Sequence, residues 1–482
     1  MSSIRSGLIF AFAGKYGLKV INLLSTVLIA RLLSPAEIGT FAIASSVVMI
    51  LAEVKLLGAS VYLIRADNVD ENKIRKAYGL TFLMCWSIAL LLIFGSGSIS
   101  AFFNQSSLQN VFIILALSFF LAPYISIPDA LLARRYLFKT ISAISLISVV
   151  LQLIVTIVLI NYDYSFYALA WGQLIGMLSR MLLSLYFTRD IKVYIPSFKG
   201  LGEIAKLGIY TSAAHVLRRF NYTAADLVIG KMGTPTEVGL FSRGMGYIDF
   251  VSQSVLDGVG AISQPYMSDM KRKGSDISNV YIKATVLLCS VLWPILIVAG
   301  IAALPAIRLL FGTQWDVAAP IAFLLSIWLS IKVMSFLAPS LLIAFGEESI
   351  MFKRDIFLFF LLLSLLIYFY QYGIAVLPFA FLINALVELL LTIIILSFKV
   401  NLSLKSFFLA LTKPLLLTIC CLVTVKVVDY YFDFAIYSPI GVFLLLLVIM
   451  PPVWLVVAKL LNLTIYFEVK NVLTKVKLLN LK

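Results

Sequence analysis

The sequence predicts an all-helical polytopic membrane protein of about fourteen spans, built as two parallel six-helix lobes followed by two extra helices. Three observations carry that prediction. Of the 482 residues, 62% are hydrophobic and 13% charged, and the mean hydropathy is +1.05, far above a soluble domain, of which roughly half is apolar. The 38 Lys and Arg residues crowd into alternate connections between apolar segments. Finally, a patterned stretch near the start returns 200 positions later without a gap.

A helix needs about 20 apolar residues to cross the hydrocarbon layer. Segments of that kind run at roughly 8–33, 38–64, 77–95, 110–132, 140–160 and 165–187, then at 205–230, 238–264, 282–304, 317–344, 355–372, 374–397, 407–427 and 439–460. One set of connections carries Arg5, the 65–76 loop with Lys73, Arg75 and Lys76, then Arg134, Arg135 and Lys139, the 189–206 segment, Lys271 to Lys283, Lys353 and Arg354, Lys399 to Lys413, and the C-terminal tail. The other set carries only Arg31, Lys231, Arg308 and Lys426. By the positive-inside rule the rich side is cytoplasmic, both termini lie there, and the number of spans is even. The expected domains are an N-lobe at 1–190, a C-lobe at 191–400, two further helices at 401–462 and a basic cytoplasmic tail at 463–482.

The formal charge of +15 therefore reflects topology, and nucleic acid is not an expected partner. Cys85, Cys289, Cys420 and Cys421 all fall in apolar spans, where they read as small core hydrophobes. They show no metal or disulfide spacing, and no cofactor is expected. The opening run resembles a signal peptide around Ala11 and Ala13, but Lys15 interrupts it, so it is retained as the first helix.

The repeated stretch is a turn between the first two spans. Arg31, Ser34, Pro35, Glu37, Gly39 and Phe41 align with Lys231, Thr234, Pro235, Glu237, Gly239 and Phe241. The same register aligns Lys15, Lys19, Asn22 and Thr26 with His215, Arg219, Tyr222 and Asp226, and Glu53 with Gln253. Intervals of four, three and four residues return to one helix face, so the first and seventh spans each carry a polar stripe. Six spans precede the second copy, which makes the repeats parallel, and in transporters the binding site lies where such repeats meet. Pro123, Pro128 and Pro339 inside spans predict kinks, and Pro451 with Pro452 predicts a bend in the last span. The tail from 462 to 482 reads either as an amphipathic helix on the anionic membrane face or as a disordered basic tail.

Charges deep in the spans are costly, about 2.5 to 3.5 kcal/mol each at a helix centre. Eight are cations (Lys15, Lys19, Lys55, Arg180, Arg218, Arg219, Arg243 and Lys332) and five are acids (Glu53, Asp226, Asp249, Asp257 and Glu388). Pairing cannot neutralise them all, and a surplus of cations suits an anionic ligand. Some have structural readings as well. Glu53 with Lys19, or Asp226 with Arg219 or Arg243, form possible intramembrane pairs, Lys55 and Arg180 sit where they can snorkel, and His215 admits either a proton relay or a packing role. No phosphate-binding Gly-Lys loop, nucleotide fold or metal-binding His cluster is present, so an enzyme is not expected.

The chain resembles the polysaccharide transporter (Wzx-like) branch of the multidrug/oligosaccharidyl-lipid/polysaccharide (MOP) flippase superfamily. The residues that carry the resemblance are Arg31, Leu32, Leu33, Pro35 and Gly39 in the first turn, and Asp226 with Gly230 in the seventh span. Arg134, Phe138 and Lys139 follow the fourth span, and Ile307, Arg308, Leu310, Gly312 and Trp315 form a further element. The resemblance implies a MATE-like fold with a central cavity and alternating access for an undecaprenyl-diphosphate-linked oligosaccharide in the bacterial inner membrane. On that reading Lys15, Lys19, Arg218 and Arg219 hold the diphosphate, while Glu53, His215, Asp226, Arg243 and Asp249 are candidate cavity or coupling residues. Pro35, Gly39, Pro235 and Gly239 shape external gate turns. Membrane lipids are expected partners, and glycan polymerase and export machinery are candidates. The drug and cation exporters of the superfamily typically carry an acid in the first helix, where this chain has Lys15 and Lys19. An antiporter is the alternative reading, and a non-transporting scaffold for glycan enzymes is a third.

Overall fold

A computed structural model describes residues 2–54, 59–65, 68–188 and 195–479. Lys55, part of the connection at 189–204 and the last three residues of the tail lie outside the described residues. Every regular element among them is helical, and the chain divides into two compact units, Met1–Gly239 and Leu240–Lys482.

The first unit contains α1 (Ser2–Leu32), α2 (Pro35–Val54), α3 (Ala59–Arg65), α4 (Glu71–Phe102), α5 (Leu108–Leu121), α6 (Pro123–Arg134), α7 (Phe138–Asn161), α8 (Tyr167–Phe187) and α9 (Gly202–Met232). It also holds the first turn of α10 (Pro235–Arg272). Here α1 lies along α7, α7 along α8, α4 along α5, and α9 along α2. The α7–α8 contact is close because Gly172 and Gly176, one helical turn apart, face Thr156 and Gln152. A Cβ on Gly172 would stand 1.9 Å from the Thr156 hydroxyl oxygen, the small-residue packing that membrane helices favour. A core of Leu63, Ile74, Ala77, Tyr78, Ile127 and Leu131 joins α3, α4 and α6. Each such side chain contributes about 1.5 to 3 kcal/mol when buried.

The second unit holds the rest of α10, then α11 (Ile277–Ile301), α12 (Ala303–Leu310), α13 (Ala318–Val333), α14 (Ala338–Phe345), α15 (Glu348–Tyr370), α16 (Pro378–Val400), α17 (Leu404–Phe432), α18 (Pro439–Leu460) and α19 (Thr464–Leu479). Its scaffold runs α17–α11–α13–α16–α15, with α18 on α17 and α12. The Ile307–Trp315 element closes the end of α12. Arg308 grips the Asp316 carboxylate through Nε at 3.0 Å and Nη2 at 2.7 Å and donates from Nη1 to the Ala435 carbonyl at 2.6 Å. That carboxylate raises the pKa of Arg308. Gly312 has a φ of +101°, a backbone state that disfavours any residue with a Cβ, and Trp315 is fully buried.

Among the described residues eight of these helices, and α13 with α14 taken as one, are long and apolar enough to cross a membrane, giving nine, or ten if the bent pair α5 and α6 is one span. This is a multi-pass membrane protein. α1, α9, α10 and α15 are also longer than a span requires, though they are not among these. Counting all four as spans gives the expected fourteen. Where the fourth span was expected, the chain bends by 43° between α5 and α6, because Pro123 starts α6 and has no N–H to continue the ladder. Pro339 likewise opens α14 after the break that follows α13. The expected second span is described as α2 up to Val54 and as α3 from Ala59, and residues 55–58 between them lie outside the described residues. α18 runs through Pro451 and Pro452 without interruption. The tail is helical from Thr464 to Leu479, and its start is fixed by Leu463, Ile465 and Tyr466 against Leu417, Cys421 and Ala458.

Candidate functional site

The repeated turns are twin capping boxes, and they meet. In the first, Ser34 donates from its N–H and its hydroxyl to Glu37 Oε2 at 2.8 and 2.7 Å, and the Glu37 N–H donates back to Ser34 Oγ at 3.4 Å. In the second, Thr234 donates to Glu237 Oε2 at 2.8 and 3.0 Å, and the Glu237 N–H returns to Thr234 Oγ1 at 3.3 Å. Each box satisfies donors that a helix start leaves open and is worth about 1 kcal/mol. Pro35 and Pro235 occupy the first helical position, where a missing N–H does no harm. Ser165 also donates to Glu37, tying the first turn to the start of α8.

The contact between the turns is backbone on backbone. A Cβ on Gly39 would fall 1.7 Å from the Pro235 carbonyl oxygen, and one on Gly239 would fall 2.1 Å from the Pro35 carbonyl oxygen. The four residues expected to shape gate turns therefore stand together. Each glycine fits because it has no side chain.

Below this contact, α2 and α9 run antiparallel with two polar rungs seven residues apart on both helices. Ser46 Oγ donates to Asp226 Oδ2 at 3.0 Å, and Arg219 donates to Glu53 Oε1 from Nε at 2.9 Å and from Nη2 at 2.7 Å. Ile43 meets Gly230 on the same seam, where a Cβ on the glycine would lie 2.9 Å from Ile43 Cγ1. The spacing of Asp226 and Gly230 thus has a packing reason. Thr223 is buried between the rungs and donates to the Arg219 carbonyl at 3.1 Å. The Arg219 side chain keeps 36% exposure against 13% for Glu53, so the pair is only partly withdrawn from solvent. It ranks between an exposed pair, at about 0 to 1 kcal/mol, and the loss of a buried partner, at about 3 to 5 kcal/mol.

Lys15, His215 and Arg218 are exposed and Lys19 is half-buried. The Arg219 guanidinium also stands 6.0 Å from the Tyr222 ring centroid. Asp249 is half-buried on α10, in the second unit. Arg243 lies there too, with its guanidinium 5.7 Å from the Phe311 ring and 5.6 Å from the Trp315 ring, a cation held on aromatic faces.

The sequence reading missed Asp129. It accepts from Arg180 Nη2 at 2.7 Å between α6 and α8, so Arg180 is paired within the protein. Asp129 falls inside the expected span at 110–132, five residues before Arg134, and spacing along that one helix does not single out its partner. The capping boxes were also legible, as a hydroxyl residue three positions before Glu at the start of an apolar run. Among the described residues no three His, Cys, Asp or Glu side chains converge as a metal site requires.

Comparison with known proteins gives this arrangement a family. The description "Polysaccharide biosynthesis protein" matches residues 28–320, which include both repeated turns. The chain is 23% identical over 367 residues to the teichuronic acid biosynthesis protein TuaB of Bacillus subtilis, covering 75% of this chain and 76% of that one. It is 21% identical over 314 residues to the succinoglycan biosynthesis transport protein ExoT of Rhizobium meliloti, covering 65% and 63% of the two chains. Among solved structures, the lipid II flippase MurJ in an inward closed conformation superposes with a TM-score of 0.71 at 16% identity, over 96% of this chain and 99% of that one. An inward-facing multidrug resistance MATE transporter superposes with a TM-score of 0.62 at 14% identity, over 80% and 95%. These two share the fold. The chain belongs to the polysaccharide biosynthesis protein family.

Proposed function

We propose that this protein is a flippase of the bacterial inner membrane, with fourteen spans and both termini cytoplasmic, that moves an undecaprenyl-diphosphate-linked oligosaccharide outward by alternating access. The observation that carries the reading is the Arg219–Glu53 pair with the exposed Arg218 next to it on α9, together with a second exposed cation, Lys15, on α1. A guanidinium that already keeps one carboxylate and remains a third exposed can exchange that carboxylate for a phosphate oxygen, since the two acceptors match its fork. Glu53 then acts as a resident counter-ion, and the incoming diphosphate takes its place among Lys15, Lys19, Arg218 and Arg219. Loss of the Glu53–Arg219 rung loosens the seam between α2 and α9. The turns at its outer end, held by Gly39 and Gly239, then part to release the head group.

The names of TuaB, a teichuronic acid biosynthesis protein, and ExoT, a succinoglycan biosynthesis transport protein, support this substrate class. The alternative, a MATE-type antiporter with Glu53, Asp226 or Asp249 as coupling acid, draws support from the shared fold. A deletion strain separates the two. The flippase reading expects lipid-linked oligosaccharide, identified by mass, to accumulate on the inner leaflet while surface glycan is lost. Normal glycan with heightened sensitivity to toxic organic cations would instead establish the antiporter.

A further inference from the structure

The connection between the two repeats is not slack where it is described. Residues 195–200 are laid against the start of α4 by backbone contacts. The Ser197 N–H donates to the Arg75 carbonyl at 2.9 Å, and Arg75 Nε donates to the Ile195 carbonyl at 3.2 Å. The fit needs Gly79, where a Cβ would lie 2.1 Å from the Ser197 carbonyl oxygen. Gly200, at a φ of +72°, then turns the chain over Lys76, whose Nζ stands 3.2 Å from the position of a Cβ on that glycine.

This clasp turns two large apolar side chains away from the protein. Ile195 is 72% exposed and Phe198 56%. Beside them stand Arg75, Lys76 and the exposed Lys199, while the nearby Asp70 carboxylate is engaged by the Lys73 N–H at 2.7 Å. The segment lies at the ends of membrane helices, between the close of α8 and the start of α9. Apolar side chains that point outward at that level, ringed by cations, match the boundary between acyl chains and anionic head groups.

We infer that residues 195–200 form a membrane-surface anchor, in which Ile195 and Phe198 enter the leaflet and Lys76 and Lys199 bind anionic phospholipid head groups. That the leaflet is the cytoplasmic one rests on the proposed orientation. The lipid contact itself does not.

The test is Phe198→Cys carrying a spin label, in a Cys420→Ala background because Cys420 is the exposed native thiol. The protein is reconstituted in phosphatidylcholine vesicles with or without phosphatidylglycerol. With the anionic lipid, the label should collide more with oxygen, which partitions into the membrane, than with a water-soluble nickel chelate. Lys76→Gln and Lys199→Gln should each reduce the ratio of lipid-protected to water-exposed label about fivefold. Equal nickel access in both vesicle types overturns the inference. Protection that persists without the anionic lipid and without both lysines also overturns it, because the protein itself would then cover the segment. No transport is measured, so this result and that of the deletion strain are independent.

Discussion

Adding one methyl group at Gly39 is expected to force the two turns apart and to abolish or severely reduce glycan export. In the described conformation the new Cβ has only 1.7 Å to the Pro235 carbonyl oxygen. Its neighbour is backbone held by Pro235 and by the Thr234–Glu237 capping box, so no flexible side chain can yield. Overpacking of this kind costs about 1 to 3 kcal/mol, and about 1.4 kcal/mol already shifts a two-state ratio tenfold. The population should move toward a state with separated turns. Thr40 is buried one residue beyond the glycine, so Thr40→Cys reports the change. A membrane-impermeant maleimide should label it slowly in the parent protein and about tenfold faster or more with Gly39→Ala. The Cys420→Ala background removes the exposed native thiol. Unchanged labelling with normal export would mean that the contact has no part in gating.

The second large effect is expected from Lys19→Gln combined with Arg219→Gln, which should abolish export. Hydrogen bonds to charged groups are worth about 1.5 to 3 kcal/mol each, so losing two cations from the proposed diphosphate site should lower affinity by orders of magnitude. Arg219→Gln alone would confound the result because Glu53, only 13% exposed, loses its partner. Glu53→Gln with Arg219→Gln resolves this, since two neutral side chains can still bridge α2 and α9. If Arg219 serves the seam alone, this double variant exports normally. If it meets the diphosphate, folding recovers and export does not. The comparison needs only amounts of folded protein by size-exclusion chromatography and of surface glycan.

Much of this architecture was readable from the chain itself. The register of 200 residues reappears in the helices, with α1 and α9 of equal length and α2 and α10 starting at Pro35 and Pro235. The prolines at 123 and 339 marked the breaks after α5 and α13. What stayed hidden were partnerships between distant residues. A helical stripe says that Arg219 and Lys19 share a kind of face, but the choice of Arg219 for Glu53, 166 positions away, is made by the packing of α2 on α9. The pairing of Asp129 with Arg180, and the close approach of Ser197 to Gly79, likewise depend on which helix ends become neighbours. Spacing along one helix cannot reveal that.

The two glycines at the crossing answer to each other, since each receives the carbonyl that precedes its counterpart's turn. Residues in direct contact do not contribute independently, so the pair behaves as one genetic locus written twice. Once either copy has gained a side chain and the crossing has parted, the other loses its reason to stay bare. Gly239→Ala should add little damage to a chain already carrying Gly39→Ala.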